Sequence, residues 1–274
     1  MSAKPLFRPL ALAVLSALAL LPAAAQAGRL ADVVRAEVLP GWRTDQGSNM
    51  MALRLTLAPG WKTYWRSPGE AGIPPDFDWT GSRNMRAVDL HWPRPEVFEF
   101  NGMQTIGYDR ELVLPIEVWP RDAGAAVEVR VRVDLGVCRD VCVPATLSVS
   151  AELPTIVAPP DPAIRAALRD RPLSAAEAGV VGHSCAIDAV AGGLRVTAEI
   201  DLPPLGTPEA AVIELERGGA WVSEAMVRRD GNRLTATSDM LSLAGGAVAF
   251  SRSDLRITLI GKGRAVEIAG CPGR

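Results

Sequence analysis

Histidine is scarce in this chain. Only His91 and His183 occur, and they lie far apart. That argues against a zinc enzyme built on several imidazole ligands. No G-x-S-x-G turn is present, and Ser184 beside His183 is adjacency, not a nucleophile, base and acid brought together. A serine hydrolase is therefore not expected. Glycine-rich loops that cradle phosphates are missing, which removes the common nucleotide-binding motifs. The formal net charge is only −2, from 29 basic and 31 acidic residues. With no basic tail and no stripe of basic and aromatic residues, nucleic acid is not an expected partner. After the N-terminal segment no run of about twenty apolar residues offers a membrane span. Nor does any stretch combine helical length with a solid 3.6-residue period.

The N-terminus reads as a leader. Met1 to Pro9 carries Lys4 and Arg8, Leu10 to Leu21 is mostly apolar, Pro22 breaks the run, and Ala25-Gln26-Ala27 fits small-x-small. The expectation is a cleavable secretory signal over residues 1–27. The apolar run is too short to anchor the chain as a spanning helix, and no cysteine stands at the cleavage point to carry a lipid. In a bacterium the mature chain is then expected in the periplasm, where disulfides persist.

Beyond the leader the chain is rich in short alternating runs. Val33 to Leu39, Met50 to Leu57, Trp61 to Trp65, Phe77 to Trp79, Val88 to Trp92, Ile106 to Tyr108, Glu111 to Val118, Ala126 to Leu135 and Ala145 to Leu153 all read as strands. Met51, Leu53, Leu55 and Leu57 share one face. Ser67 to Pro75 reads as an irregular loop, Asn101-Gly102 as a turn, and Pro115 inside its strand favours an edge or a bulge. Composition changes at Pro154. Asp161 before Pro162 suits a helix start, Ala163 to Leu168 is the best helical pattern, and Ser174 to Glu177 fits a capping box. A second β region begins near Val180. Its strand candidates are Leu194 to Leu202, Ala211 to Leu215, Trp221 to Val227, Leu234 to Thr237, Gly246 to Phe250, Leu255 to Ile260 and Ala265 to Ile268. Gly218-Gly219 and Arg229 to Asn232 are turn signals. The expected fold class is all-β, with two tandem β-sandwich domains joined by a short, partly helical linker. The expected divisions are 28–153, 154–179 and 180–274.

Four cysteines allow three complete pairings. Spacing suggests Cys138 with Cys142 and Cys185 with Cys271. The second pair would tie both ends of the second domain, a structural role worth roughly 4 kcal/mol by the chain-entropy argument. The first pair lies between two strands, with Gly136 before it and Pro144 after it. It can be a structural disulfide, a redox-active dithiol, half of a metal site or free buried thiols. Exchange needs an accessible sulfur and a second thiol near enough to resolve the mixed disulfide, and three intervening residues permit this. Arg139 favours a thiolate and Asp140 opposes one. No helix N-terminus is there to lower the thiol pKa. Met50, Met51, Met85 and Met103 with the same cysteines are conceivable soft ligands for copper(I), but methionines at strand positions are more often core or surface filler.

Several stretches carry a resemblance: Pro59-Gly-Trp-Lys-Thr-Tyr-Trp65, Pro68-Gly-Glu-Ala-Gly-Ile-Pro74, Trp92-Pro-Arg-Pro95, Glu99-Phe-Asn-Gly102 and Cys138-Arg-Asp-Val-Cys-Val-Pro144. Together they resemble the N-terminal periplasmic domain of the DsbD thiol:disulfide interchange reductases. They are closer still to the matching part of ScsB-type reductases, which are linked to copper tolerance. The resemblance implies immunoglobulin-like sandwiches and a redox pair at Cys138 and Cys142, with Cys142 as the attacking thiol and Cys138 as the resolving one. It also implies a cap loop of Glu99, Phe100 and Asn101 that shields the pair. No cofactor or metal is expected. Trp61, Tyr64 and Trp65 are expected as core or rim, and Glu70 as a surface charge. In such a family electrons arrive from a thioredoxin-like domain served by a membrane DsbD/CcdA-like donor and leave to periplasmic disulfide proteins. The cysteine spacing is tighter than in the best-known members. Arg274 ends the chain without membrane helices or a thioredoxin domain, so a separate partner is expected. The reading is a thiol:disulfide oxidoreductase component. Its alternatives are a non-catalytic, disulfide-stapled interaction module, with Phe100 and the Trp61 to Trp65 strand as a binding face, or a copper-handling protein.

Overall fold

A computed structural model describes residues 30–100, 102–153, 155, 159–217, 220–243 and 245–273, leaving aside the side chain of Phe100. The leader, Asn101 and the Gly218-Gly219 turn lie outside the described residues. The chain forms tandem immunoglobulin-like sandwiches, each of two sheets.

In the first, β1 (Val34–Arg43), β2 (Asn49–Leu57), β3 (Lys62–Gly69), β4 (Asp76–Asp78), β5 (Met85–Leu90), β6 (Glu96–Phe100), β7 (Met103–Asp109), β8 (Glu111–Pro120), β9 (Val127–Cys138) and β10 (Cys142–Leu153) succeed one another along the chain. One sheet runs β1-β2-β8-β5. The other runs β10-β9-β3-β7-β6, with β4 also on β9. Alternation explains the packing. Val127, Val129, Val131, Val133, Leu135 and Val137 point inward from β9 and meet Met51, Leu53 and Leu55 from β2, all at most 2% exposed. Burying each such side chain contributes about 1.5–3 kcal/mol. Arg132, Asp134, Gly136 and Cys138 therefore fall on the outer face of the same strand.

β2 is buried on both faces. Its outward Met50 and Ala52 pack on Ile164 of α1 (Pro162–Arg169). Asp161 caps that helix, accepting from the Ala163 and Ile164 N–H groups at 2.8 and 3.1 Å, with Pro162 in the first turn. The helix folds back onto the first sandwich, and the Arg94 N–H donates to the Asp170 carbonyl at 2.6 Å.

The second sandwich contains β11 (Leu173–Ser174), β12 (Gly182–Val190), β13 (Gly193–Asp201), β14 (Ala210–Leu215), β15 (Ala220–Val222), β16 (Met226–Asp230), β17 (Arg233–Ser242), β18 (Leu255–Gly261) and β19 (Arg264–Ala269). Its sheets run β11-β19-β18-β14 and β12-β13-β17-β15, with β16 also on β17. Val212, Ile260 and Ala265 join the first sandwich's apolar cluster. Beside them Arg66 of β3 holds Glu214 through two hydrogen bonds of 3.0 and 2.9 Å and Glu267 through one of 2.6 Å.

Several local expectations change. Pro115 sits in a central strand, not at an edge. The pairing of β5 with β8 stops at Leu90 opposite Ile116. The Pro115 carbonyl faces that side and accepts from the His91 N–H at 3.0 Å. The proline nitrogen faces the same side, just past the last paired residue of β5, so its missing N–H leaves the named ladder intact. β3 continues to Gly69 through a register shift after Tyr64, so Ser67 to Gly69 is not loop. Trp221 to Val227 divides into β15 and β16, while Gly246 to Phe250 forms no ladder. Cys185 lies inside β12, not ahead of the first strand.

Candidate functional site

The hairpin of β9 and β10 sets the site. Cys138 ends one strand and Cys142 begins the next, directly opposite each other in register, with Cα atoms 4.1 Å apart and their sulfurs bonded. The Arg139 N–H donates to the Val141 carbonyl at 3.3 Å across the tip. The two sulfurs meet different surroundings. Cys138 is 5% exposed, whereas Cys142 lies on the exposed start of β10 between Val141 and Val143. Val141 is 65% exposed.

β3 supplies the floor. Thr63 pairs with Val137 and faces the core, where its hydroxyl donates to the Gly136 carbonyl at 3.0 Å. Parity then sends Lys62 and Tyr64 to the outer face beside Cys138. The Tyr64 hydroxyl donates to Cys138 Sγ at 2.8 Å and stands 3.3 Å from Cys142 Sγ. Burial pushes the Tyr64 phenol above its ordinary pKa, so it stays protonated and remains a donor through neutral pH. Gly136 makes this approach possible. A Cβ there would lie 3.2 Å from the Tyr64 ring and 2.8 Å from Ile73 Cβ. Ile73, from the segment after β3, thus lies over Gly136 and helps cover the tyrosine.

Charge around the pair is mostly self-neutralised. Arg139 donates to Asp140 at 3.0 Å, and its guanidinium lies over the Trp61 ring at 5.3 Å. Lys62 is the register partner of Cys138 across the β3–β9 ladder, and its ammonium sits 4.4 Å from the centre of the Phe98 ring.

β6 and β7 form the hairpin that carries the expected cap loop. Glu99 is exposed opposite Gln104, and the backbone of Phe100 pairs with Met103. Gly102 has φ +78°, the left-handed turn that glycine accepts readily. The Phe100 side chain and Asn101 lie outside the described residues. The structure therefore brings Cys138 and Cys142 together with Tyr64, a residue read from the sequence only as core or rim.

Cys185 and Cys271 are also bonded, at 0% and 2% exposure. The Cys185 N–H donates to the Pro272 carbonyl at 2.8 Å, and Arg252 donates to the Cys185 carbonyl at 2.8 Å. Neither sulfur offers a surface to a partner. Met50 and Met51 point to opposite faces of β2, both buried in apolar clusters, so they do not converge with the cysteines.

A family model described as "Thiol:disulfide interchange protein DsbD, N-terminal" matches residues 34–154. The first sandwich is a DsbD/ScsB-type N-terminal domain. Among solved structures, the N-terminal periplasmic domain of ScsB from Proteus mirabilis is similar at 26% identity and a TM-score of 0.60, covering 88% of this chain and 93% of that one. That likeness takes in both sandwiches. The reduced N-terminal domain of Neisseria meningitidis DsbD is similar at 18% identity over 42% of this chain and 82% of that one, with a TM-score of 0.25. No curated protein matched the chain. The DsbD-type domain and its Cys138–Cys142 bond place the chain's chemistry in thiol–disulfide exchange.

Proposed function

We propose that the chain is a periplasmic relay that passes reducing equivalents from a thioredoxin-like or membrane DsbD/CcdA-like donor to periplasmic disulfide proteins. One observation carries this reading: the disulfide is asymmetric, with Cys142 on an exposed stretch of β10 and a buried Cys138 whose sulfur accepts a hydrogen bond from Tyr64. A donor thiolate attacks Cys142 Sγ. The Cys138–Cys142 bond breaks, and its electron pair leaves on Cys138. The donor's second thiol then attacks the mixed disulfide and departs as the donor's own disulfide, leaving both cysteines of the chain reduced. In the next half-cycle the Cys142 thiolate attacks a substrate disulfide and Cys138 resolves the product. Exposed Val141 and Val143 give the attack point an apolar collar on which a partner can dock. Glu99, Phe100 and Asn101 act as the cap that a docking partner displaces, and Cys185–Cys271 serves as a structural staple.

Trapping tests the assignment. A Cys138→Ser chain retains the attacking thiol but cannot resolve its adduct, so it accumulates a mixed disulfide with an oxidised thioredoxin-like protein. The Cys142→Ser chain accumulates far less. Equal trapping by both variants, or by neither, overturns the assignment.

A further inference from the structure

Reduction leaves a negative charge on a sulfur that is almost fully buried. Burial disfavours a thiolate unless a donor or a cation meets it. Tyr64 supplies the donor. The nearby cations differ in how free they are. Arg139 is engaged by Asp140 at 3.0 Å, and Arg110 by Asp109 at 3.3 Å. Lys62 has no ion-pair partner among the described residues, although Asp109 is its register neighbour on β7. It stands opposite Cys138 on the β3–β9 ladder, so the two side chains rise from the same face with Cβ atoms about 5 Å apart. Its ammonium is turned toward β6, over the Phe98 ring.

We propose that Lys62 is a two-position counter-ion for the exchange reaction. It rests on the Phe98 ring while the disulfide is closed and swings to the Cys138 thiolate when Cys142 is attacked. This deepens the relay reading and rests on it. The chemical step is the exchange given above: an external thiolate bonds to Cys142 Sγ, the intramolecular bond breaks, and the electron pair stays on Cys138. No further oxidant or reductant enters. With the disulfide closed, no anion sits on the sulfur, and the negative face of an aromatic ring is the better neighbour for an ammonium. Once a full charge forms, it outcompetes the ring. Phe98 belongs to the hairpin that carries Glu99 and Phe100. Moving that hairpin on docking frees the lysine as the charge develops.

The test is the thiolate absorbance of Cys138 near 240 nm against pH, in the full chain carrying Cys142→Ala with the Cys185–Cys271 bond intact. Tyr64 touches the sulfur, and the other titratable and charged groups on the elements around it are Lys62 from β3, Arg139 and Asp140 from the hairpin tip, and Asp109 from β7. Lys62→Met is expected to raise the thiolate midpoint by about one pH unit, a tenfold loss of thiolate at pH below the midpoint. Lys62→Arg restores most of it. Phe98→Leu, which leaves the lysine in place and removes its resting ring, lowers the midpoint. An unchanged or lowered midpoint in Lys62→Met overturns the proposal, as does an unchanged or raised one in Phe98→Leu. Should Lys62→Met fail to fold, Phe98→Leu alone decides. The titration uses no partner, so its outcome is separate from whether the chain proves to be a relay.

Discussion

Replacing Tyr64 by phenylalanine removes one oxygen from the site and leaves the ring in place. That oxygen lies 2.8 Å from Cys138 Sγ and 3.3 Å from Cys142 Sγ. When Cys142 is attacked, the bond to Cys138 becomes a hydrogen bond to a charged group, worth about 1.5–3 kcal/mol. About half of the charge has developed in the transition state, so the barrier rises by about 0.7–1.5 kcal/mol and reduction by dithiothreitol slows about three- to tenfold. The completed thiolate loses the full amount, which raises the Cys138 pKa by about one to two units. The midpoint potential at pH 7 moves by less than about 30 mV, because both the disulfide and the neutral dithiol lose only a weak contact. Stopped-flow reduction across pH 6 to 9, with the potential measured in parallel, separates these effects. A Tyr64→Phe chain that is folded and is reduced as fast as wild type at every pH would refute the role given to the hydroxyl.

Other perturbations reach other parts of the molecule. Gly136→Ala places a Cβ 2.8 Å from Ile73 Cβ and 3.2 Å from the Tyr64 ring. It should cost about 1–3 kcal/mol of stability and speed alkylation of Cys138 in the reduced protein, and a variant with wild-type Tm and alkylation rate would contradict that packing. Opening the Cys185–Cys271 bond, whose ends are 86 residues apart, by a Cys185→Ala, Cys271→Ala double substitution should cost roughly 4 kcal/mol in denaturant titration. The potential of the other pair should be unchanged, and coupled loss of both would show that the two sites are not independent. Acid should weaken the second sandwich. Arg171, and then Ser174, hold the Glu177 carboxyl at about 2, while Arg233, Arg195 and Arg217 lower Asp201, Asp239 and Asp254. Each folded pKa lies below its unfolded value, so the unfolded state binds more protons in the interval. The stabilisation is present above the ordinary carboxylate range and is lost as pH falls toward about 2. Glu224, raised by burial and then by Glu70, acts in the opposite sense as a single group. The Tm should fall between pH 5 and 2.5, and a flat or rising Tm there contradicts the sign.

Strand alternation made most of the architecture legible. The run of valines and leucine up to Leu135 marked which residues face the core, whereas the strand's continuation to Cys138, which puts that cysteine on the outer face, emerges only in the structure. Pro162 after Asp161 marked α1 for the same local reason that stabilises it. Other elements depended on tertiary partners. β12 has a weak alternation, and only its long ladder with β13 makes it a strand. Val248 and Phe250 are apolar enough to suggest a strand, yet they pack against the second core without ladder partners. Pro115 departs from the expected edge or bulge, in unbroken register with Ala52, because a proline excludes pairing only on the side that its nitrogen faces. Tyr64 is hidden for a subtler reason. An aromatic in Trp-Lys-Thr-Tyr-Trp reads as core, and its true neighbour depends on the register of β3 against β9. The signal available was parity with Lys62, together with a glycine two residues before Cys138 that leaves room for a ring.

In the proposed relay, Cys138–Cys142 is a working bond and Cys185–Cys271 a fixed one. The direct measurement is a redox titration of the chain in thiol–disulfide buffers, read by alkylation and mass spectrometry of each cysteine peptide. A relay requires that Cys138–Cys142 titrate between about −180 and −280 mV while Cys185–Cys271 stays oxidised beyond about −300 mV. If both pairs resist reduction until the chain unfolds, exchange at Cys142 is contradicted, and the protein is a disulfide-stapled interaction module.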